Sequence, residues 1–375
     1  MRQASVMRVM RRATAAVLAL FLVVSFADAA GVSYPDVVPG YRIEFPRDEG
    51  SHPEFRTEWW YVTGWLENEA GSPVGFQVTF FRTRPGVDES NPSRFAAKQV
   101  LFAHAALSDP KTGKLLRGER AARAGFGLAT AMQGSLDVSI DDWSLRQGAG
   151  DSDASSGTLY RTSVKAEGFS LQLDLQTTQP PLLQGSDGFS RKGPDPLAAS
   201  YYYSLPQLQT TGRITIGKHE HKVRGVAWLD HEWSTLYMDP QAQGWDWLGA
   251  NLDDGSALMV FRMRTPNGGQ RWAAATWTSA TDRSVRTFSP ADVQWSALRR
   301  WRSPRTGIEY PVEWNIRIGE RTIRLQPLMD DQENDTRGST GTIYWEGAVR
   351  AFDERNQPLG RGYLELTGYG KRVGF

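Results

Sequence analysis

The ten residues TEWWYVTGWL, Thr57 to Leu66, constrain the fold more than any other stretch. Side chains alternate along an extended chain, so Thr57, Trp59, Tyr61, Thr63 and Trp65 share one side while Glu58, Trp60, Val62 and Leu66 share the other. Large aromatics fall on both sides. Neither face of this strand can simply be wet, and each needs a layer of protein over it. Val74 to Arg82 resumes the alternation after the turn Glu69-Ala70-Gly71-Ser72, which predicts a hairpin.

The same pattern recurs along the chain. Lys98 to Asp109 reads as a strand stopped by Pro110, and shorter strands are expected at Gly134 to Ile140, Trp143 to Gln147, Leu159 to Ala166 and Phe169 to Thr177. Gly86 to Ser93 and Asp151 to Gly157 read as polar loops. The Pro- and Gly-rich run Gln179 to Ser200 is too long for a turn and reads as a lid or binding loop. Leu205 to Ile216 and Lys222 to Trp233 follow. From Trp245 a second array begins with a hairpin turning at Asp254-Gly255. The 14 Trp, 12 Tyr and 16 Phe, with no Leu/Ala-rich helical pattern after the N-terminus, agree with an all-β chain. Two successive arrays predict two antiparallel β-barrel domains in tandem, residues 30–236 and 237–375.

Residues 1–29 read as a signal peptide: Arg2, Arg8, Arg11 and Arg12, then an apolar run from Ala13 to Phe26, then Ala27-Asp28-Ala29. The expected location is the periplasm, with no more than transient membrane contact. The formal charge of the whole chain is +1, and removing those four arginines and one aspartate leaves −2. Such a balance gives no electrostatic footprint for nucleic acid. The absence of cysteine excludes a disulfide framework and a thiol nucleophile. No nucleotide or spaced zinc motif appears, so neither cofactor nor metal is expected.

The segments HPEFRTEWWYVTGWL, FAHAAL, AWLDHEW, GWDWLGANLDDG and YWEGAV resemble the signatures of the AttH-like and carotenoid 1,2-hydratase family of tandem lipocalin-like proteins. The resemblance runs from about His52 to Tyr369. It implies two lipocalin-like barrels, a ligand space in or between them, a hydrophobic isoprenoid or lipid-like ligand, and in some members an ABC-type permease as partner. In the hydratases an aromatic-x-Asp pair works with a His-x-aromatic pair about 27 positions earlier. Trp228-x-Asp230 matches the first pair. Tyr201-x-Tyr203 occupies the place of the second, without its histidine.

Protonating an alkene requires a carboxylic acid kept neutral by apolar surroundings, and aromatic faces that stabilise the resulting cation. Asp230 is the expected acid, and Glu232, on the same strand face as Trp228 and Asp230, is a second carboxyl that would raise its proton affinity. The alternative for both is a buried structural carboxylate. His231 is expected on the opposite face, packed and hydrogen-bonded. His104 is the candidate base. Glu58, Trp60, Tyr201, Tyr203, Trp228, Trp247 and Asn251 are the expected ligand-binding residues, with Glu58 alternatively a buried partner of Arg56, His104 or an indole. Three functions stay open at this point: a binding protein for an apolar molecule, a hydro-lyase or isomerase, and a glycan-acting protein.

Overall fold

Alternating strands build two antiparallel sheets, one after the other along the chain. A computed structural model describes residues 32–86, 89–148 and 157–374. The expected signal peptide, residues 1–29, and most of the loop Asp151 to Gly157 lie outside the described residues.

The first sheet is organised around Thr57–Asn68. On one side it continues through Pro73–Thr83 and Val100–Ser108 to Leu116–Arg123. On the other it passes through His219–Ser234 and Ala199–Ile216 into a meander of shorter strands, Phe169–Gln176, Leu159–Ala166, Trp143–Gln147, Asp137–Ile140 and Ala129–Ala131. Side chains close the curl where the backbone ladder stops. The Trp143 ring lies against Gly118, where a Cβ would come within 3.1 Å of it, and Trp143 Nε1 donates to the Lys165 carbonyl at 2.8 Å. Arg120, beside Gly118, stacks its guanidinium over the same ring at 4.9 Å. Leu116–Arg123 is a strand that the sequence did not announce, because LRGERAAR has no hydrophobic alternation. Its mixed exposure explains that.

The second sheet is centred on Gly244–Leu252. Ala257–Arg264, Gln270–Thr278 and Val285–Phe288 lie to one side, and Pro358–Leu366, Thr342–Phe352, Arg321–Pro327, Glu309–Ile318 and Val293–Arg302 to the other. The fold is thus all-β, two lipocalin-like antiparallel barrels in succession.

Three apolar clusters result. One fills the first barrel and includes Trp60, Val62, Leu66, Trp233 and Tyr203. Another fills the second barrel around Trp314 and Trp345. The third lies between the sheets and joins Tyr61, Trp65, Tyr202 and Trp228 to Trp247, Phe261 and Tyr363. The two aromatic faces of Thr57–Asn68 therefore serve two different cores. Trp65 Nε1 donates across the junction to the Gly362 carbonyl at 2.9 Å. Gly75 permits the close approach, since a Cβ there would sit 2.6 Å from that of Ala348.

The run Gln179 to Ser200 is held down along its length. Leu182–Leu183 and Phe189–Arg191 pair with Ala199–Ile216, and Gln184, Ser190 and Lys192 are buried. A freely swinging lid does not match that anchoring.

Candidate active site

Strand parity decides which side chains meet. One cross-strand row of the first sheet reads Ser204, Asp230, Tyr61, Thr79, His104 and Glu119. The neighbouring row on the same face reads Tyr202, Glu232, Trp59, Phe81 and Phe102. On the second sheet a row reads Phe261, Trp247, Glu365 and Glu346. Between the two lies a cavity of about 1030 Å³, lined by Asp230, Glu232, Tyr61 and His104 from one wall and Trp247, Glu346 and Glu365 from the other. Its solvent-facing part is cationic, with Arg337, Lys371 and Arg372 exposed on the lining.

Asp230, 3% exposed, accepts hydrogen bonds from Tyr202 Oη at 2.7 Å, Ser204 Oγ at 2.5 Å and Trp228 Nε1 at 2.6 Å. Trp247 Nε1 in turn donates to Tyr202 Oη at 3.1 Å, so the second sheet helps to fix the first. Burial dominates the acid's proton affinity. It pushes Asp230 up to about 7 against the pull of those three donors, with Glu232 adding to the rise. The group therefore changes charge near neutrality, and its conjugate base has its donors already in place.

Glu232 is paired with Lys192 Nζ at 2.6 Å and accepts from Ser200 Oγ. Lys192 lies over the rings of Tyr202, Tyr237 and Phe261. Burial pushes Glu232 up and Lys192 down, each against the attraction of the other. The pairing makes Glu232 a partner of lysine in the cavity wall, and a weaker candidate for proton transfer than Asp230.

His104 reaches the cavity three strands from Asp230, about 14 Å along the row at the usual interstrand spacing. Burial, helped by Arg117, drives it down to about 3, so it is neutral. Ser339 Oγ gives its proton to Glu119, leaving His104 Nε2 to donate to Ser339 at 3.0 Å and Nδ1 to accept from Tyr344 Oη at 2.9 Å. A histidine so engaged and so weakly basic does not serve as the expected base. It joins the two sheets.

The inward-facing residues of the same strands form a different cluster. Glu58 accepts from Arg82 Nε at 2.8 Å, His52 Nδ1 at 2.8 Å and His231 Nε2 at 2.9 Å. Burial would raise its proton affinity, but Arg82 and the two imidazoles outweigh it and hold Glu58 well below the ordinary value. His52 is disfavoured as a cation by burial, yet Asp48 and Glu58 lift it to about 9. Its ring stacks on Trp233 at 3.8 Å. His52, Glu58 and His231 place ligand-type atoms within 4.8 Å of one another, an arrangement invisible in the sequence spacing. The Glu58 oxygens are occupied by donors from Arg82, the two imidazoles and the His52 amide. This is an ion-paired plug at the end of the first barrel.

Parity also corrects several expected ligand contacts. Trp60, Tyr201 and Tyr203 face the first barrel's core and do not line the cavity. Glu58 reaches the cavity edge but is consumed by its ion pairs. Trp228 acts on Asp230 through its indole N–H and stays behind the wall. Asn251 joins the sheets, with Oδ1 accepting from the Gln207 amide at 2.8 Å and Nδ2 donating to the Ala227 carbonyl at 3.1 Å. Gln207 sits at the bulge between Leu205 and Leu208, with φ at 54°. Asp230, Glu232, His104 and Trp247 do line the cavity.

The residues that sequence reading left unassigned are Tyr61, Tyr202, Ser204, Lys192, Glu346 and Glu365. A signal for Tyr202 was present. The two-residue period that puts Tyr201 and Tyr203 on one face puts the residue between them on the face of Asp230.

The AttH-like family model matches residues 36–369. The chain belongs to the AttH-like family. Its structure resembles the crystal structure of an AttH protein from Nitrosomonas europaea, with 50% identity, a TM-score of 0.82, and coverage of 89% of this chain and 99% of that one. Kievitone hydratase from Nectria haematococca is similar at 13% identity and a TM-score of 0.67, covering 91% of this chain and 97% of that one, which shows a shared fold. No protein among the curated sequences matches this AttH-like chain.

Proposed function

We propose that this AttH-like protein acts on an apolar, alkene-bearing molecule in the inter-sheet cavity, as a hydro-lyase or isomerase with Asp230 as the acid. The observation that carries the reading is Asp230 itself: a buried carboxyl brought to about 7, facing a cavity walled by Tyr61 and Trp247, with three donors ready for its conjugate base. Proton delivery to a carbon–carbon double bond needs a strong enough acid and aromatic faces for the cation that follows. A passive carrier of an apolar molecule gains nothing from carboxyls in its wall, because each costs free energy to bury. That a protein of this fold is named a hydratase agrees with the reading.

A binding role without turnover is the second reading. The cavity volume of about 1030 Å³ favours it, since that space suits a lipid- or isoprenoid-sized ligand. In either case the reading includes export to the periplasm after loss of residues 1–29, with an ABC-type permease as partner.

The experiment is to purify the mature protein from its own source, identify the co-purifying small molecule by mass spectrometry, and compare wild type with Asp230→Asn. The expected outcome is an isoprenoid or lipid-like ligand, retained binding in the variant, and turnover reduced at least about 100-fold. Unchanged turnover removes Asp230 from the chemistry, and a bound sugar removes the apolar-ligand reading.

A further inference from the structure

Trp345, Leu364 and Leu366 point into the second barrel's core, so by alternation Glu346 and Glu365 point the other way, toward the cavity. They are direct cross-strand partners. Directly opposed residues hold their Cβ atoms about 4.5–5.5 Å apart, close enough for two carboxyls to share one proton.

The setting differs from that of a structural carboxylate in the same sheet. Asp246 is held by Arg262 Nε at 2.6 Å and Arg264 Nε at 3.0 Å. Neither Glu346 nor Glu365 has an ion-pair partner among the described residues. Glu365 accepts from Trp245 Nε1 at 2.8 Å. Glu346 is 2% exposed, and its Oε1 has no hydrogen-bond partner among the described residues. Buried polar atoms left this way are uncommon. Here one such oxygen belongs to a carboxyl pair at the wall of a cavity, with Tyr61 beside it, and a hydroxyl or water oxygen of a reacting ligand is what it is built to meet.

We infer that Glu346 and Glu365 form a second catalytic site, a proton-sharing carboxyl pair that takes up the proton of the water added to the ligand, on the wall opposite Asp230. The inference rests on the hydro-lyase reading. In the forward direction Asp230 gives its proton to one alkene carbon, the π pair forms the new C–H bond, and the other carbon becomes a cation. A water lone pair forms the C–O bond, and the proton leaving that water goes to the pair. Alkene and water become alcohol, and the proton gained by the pair balances the one lost by Asp230, solvent exchange restoring both. Dehydration is the reverse. Tyr61, in register with Asp230 on the same wall and reaching across to Glu346, positions the hydroxyl.

The pair's protonation agrees with this role. Burial, then the mutual repulsion of the two groups, pushes Glu346 well up, with Tyr61, Tyr344 and Asn334 opposing. Burial also lifts Glu365 to about 7, against the Trp245 donor and with Asp230, Glu232 and Asp246 adding to the rise. Tyr61, Tyr237, Tyr344 and Tyr363 also face the pair, and all are pushed toward their neutral forms.

Two measurements test it on the full mature chain. The first is an infrared pH titration in an Asp230→Asn background without ligand. A protonated carboxyl band persisting to pH 6 and above is expected, and Glu365→Gln should lower the midpoint of the remaining Glu346 by at least about one unit. Loss of the band below pH 5 overturns the pair. The second follows deuterium from D₂O and oxygen-18 from labelled water into geraniol, farnesol and squalene. Glu365→Gln should keep deuterium incorporation while losing oxygen-18 incorporation at least tenfold, and Asp230→Asn should lose both. Oxygen-18 incorporation unchanged in Glu365→Gln overturns the pair alone. Wild-type protein that incorporates neither label overturns the hydro-lyase reading and the pair's catalytic role with it.

Discussion

Thr57–Asn68 and His219–Ser234 carry two polar clusters on opposite faces, and the clusters balance their charge in opposite ways. On the inner face Glu58 meets Arg82 and a protonated His52, so negative charge is matched by positive charge and the carboxylate stays ionised. On the outer face Asp230 and Glu232 meet Glu346 and Glu365 across the cavity, with Lys192 already committed to Glu232. There the charge balance is met by protons. Buried charge matched by fixed cations makes structure, whereas buried charge matched by exchangeable protons makes a site that can do acid–base work.

The comparison breaks most visibly through the inner cluster. Glu58→Gln leaves Arg82 buried without its counter-charge and His52 with Asp48 alone, and is expected to cost about 3–5 kcal/mol of stability, measured by urea denaturation at pH 7. Asp230→Asn removes a group that burial disfavours when charged, and it should be neutral or stabilising under the same conditions. If both variants lose stability alike, the division between the clusters fails.

The pH dependence follows with definite signs. Glu58 is held below its ordinary value, so its contribution is present above about pH 4.5 and is lost as pH falls. His52 is raised to about 9, so its contribution is full below pH 6.5 and is lost as pH rises through 9. Asp230 works the other way from Glu58. Between its ordinary value of 3.8 and about 7 the folded chain holds a proton that the unfolded chain releases, and stability falls as pH rises through that window. The optimum should lie near pH 5. Between pH 5 and 8 Asp230→Asn should flatten the decline by about 3 kcal/mol, measured by denaturation at each pH. A slope unchanged by that substitution would place the proton elsewhere.

His104 gives the smallest effect and the sharpest boundary between the two roles. His104→Leu strips partners from Tyr344 and Ser339 and should cost about 1–2 kcal/mol of stability. Turnover should stay within about threefold of wild type, because a neutral, doubly hydrogen-bonded imidazole is not the base. A loss of turnover near that of Asp230→Asn would return His104 to the mechanism.

How far these clusters were legible in the sequence depended on distance along the chain. The barrels, the hairpin at Thr57 and the opposition of Asp230 to His231 follow from local alternation, which sequence displays directly. Tyr202 was within reach by the same rule, yet a motif that drew attention to its two neighbours obscured it. Glu346 and Glu365 were harder to find. Glu365 is an isolated acid in an ordinary strand and Glu346 lies in the segment YWEGAV with no acid near it in sequence, and only the pairing of Thr342–Phe352 with Pro358–Leu366 and the packing of one barrel on the other bring them to Asp230. The His52, Glu58 and Arg82 plug is hidden for the same reason. Lys192 was masked by a Pro- and Gly-rich segment that looks mobile and is anchored.

The two-sidedness of Thr57–Asn68 also bears on the fidelity of assembly. A one-residue slip against His219–Ser234 exchanges the faces of every side chain on the slipped strand. Slipping Thr57–Asn68 would carry Glu58 away from Arg82 and into the acidic cavity, and would drive Tyr61 toward the inner core. Misregistered pairings therefore meet like charge on one side and unpaired cations on the other. The groups that divide plug from cavity in the native chain also act as a proofreading device while the barrel closes.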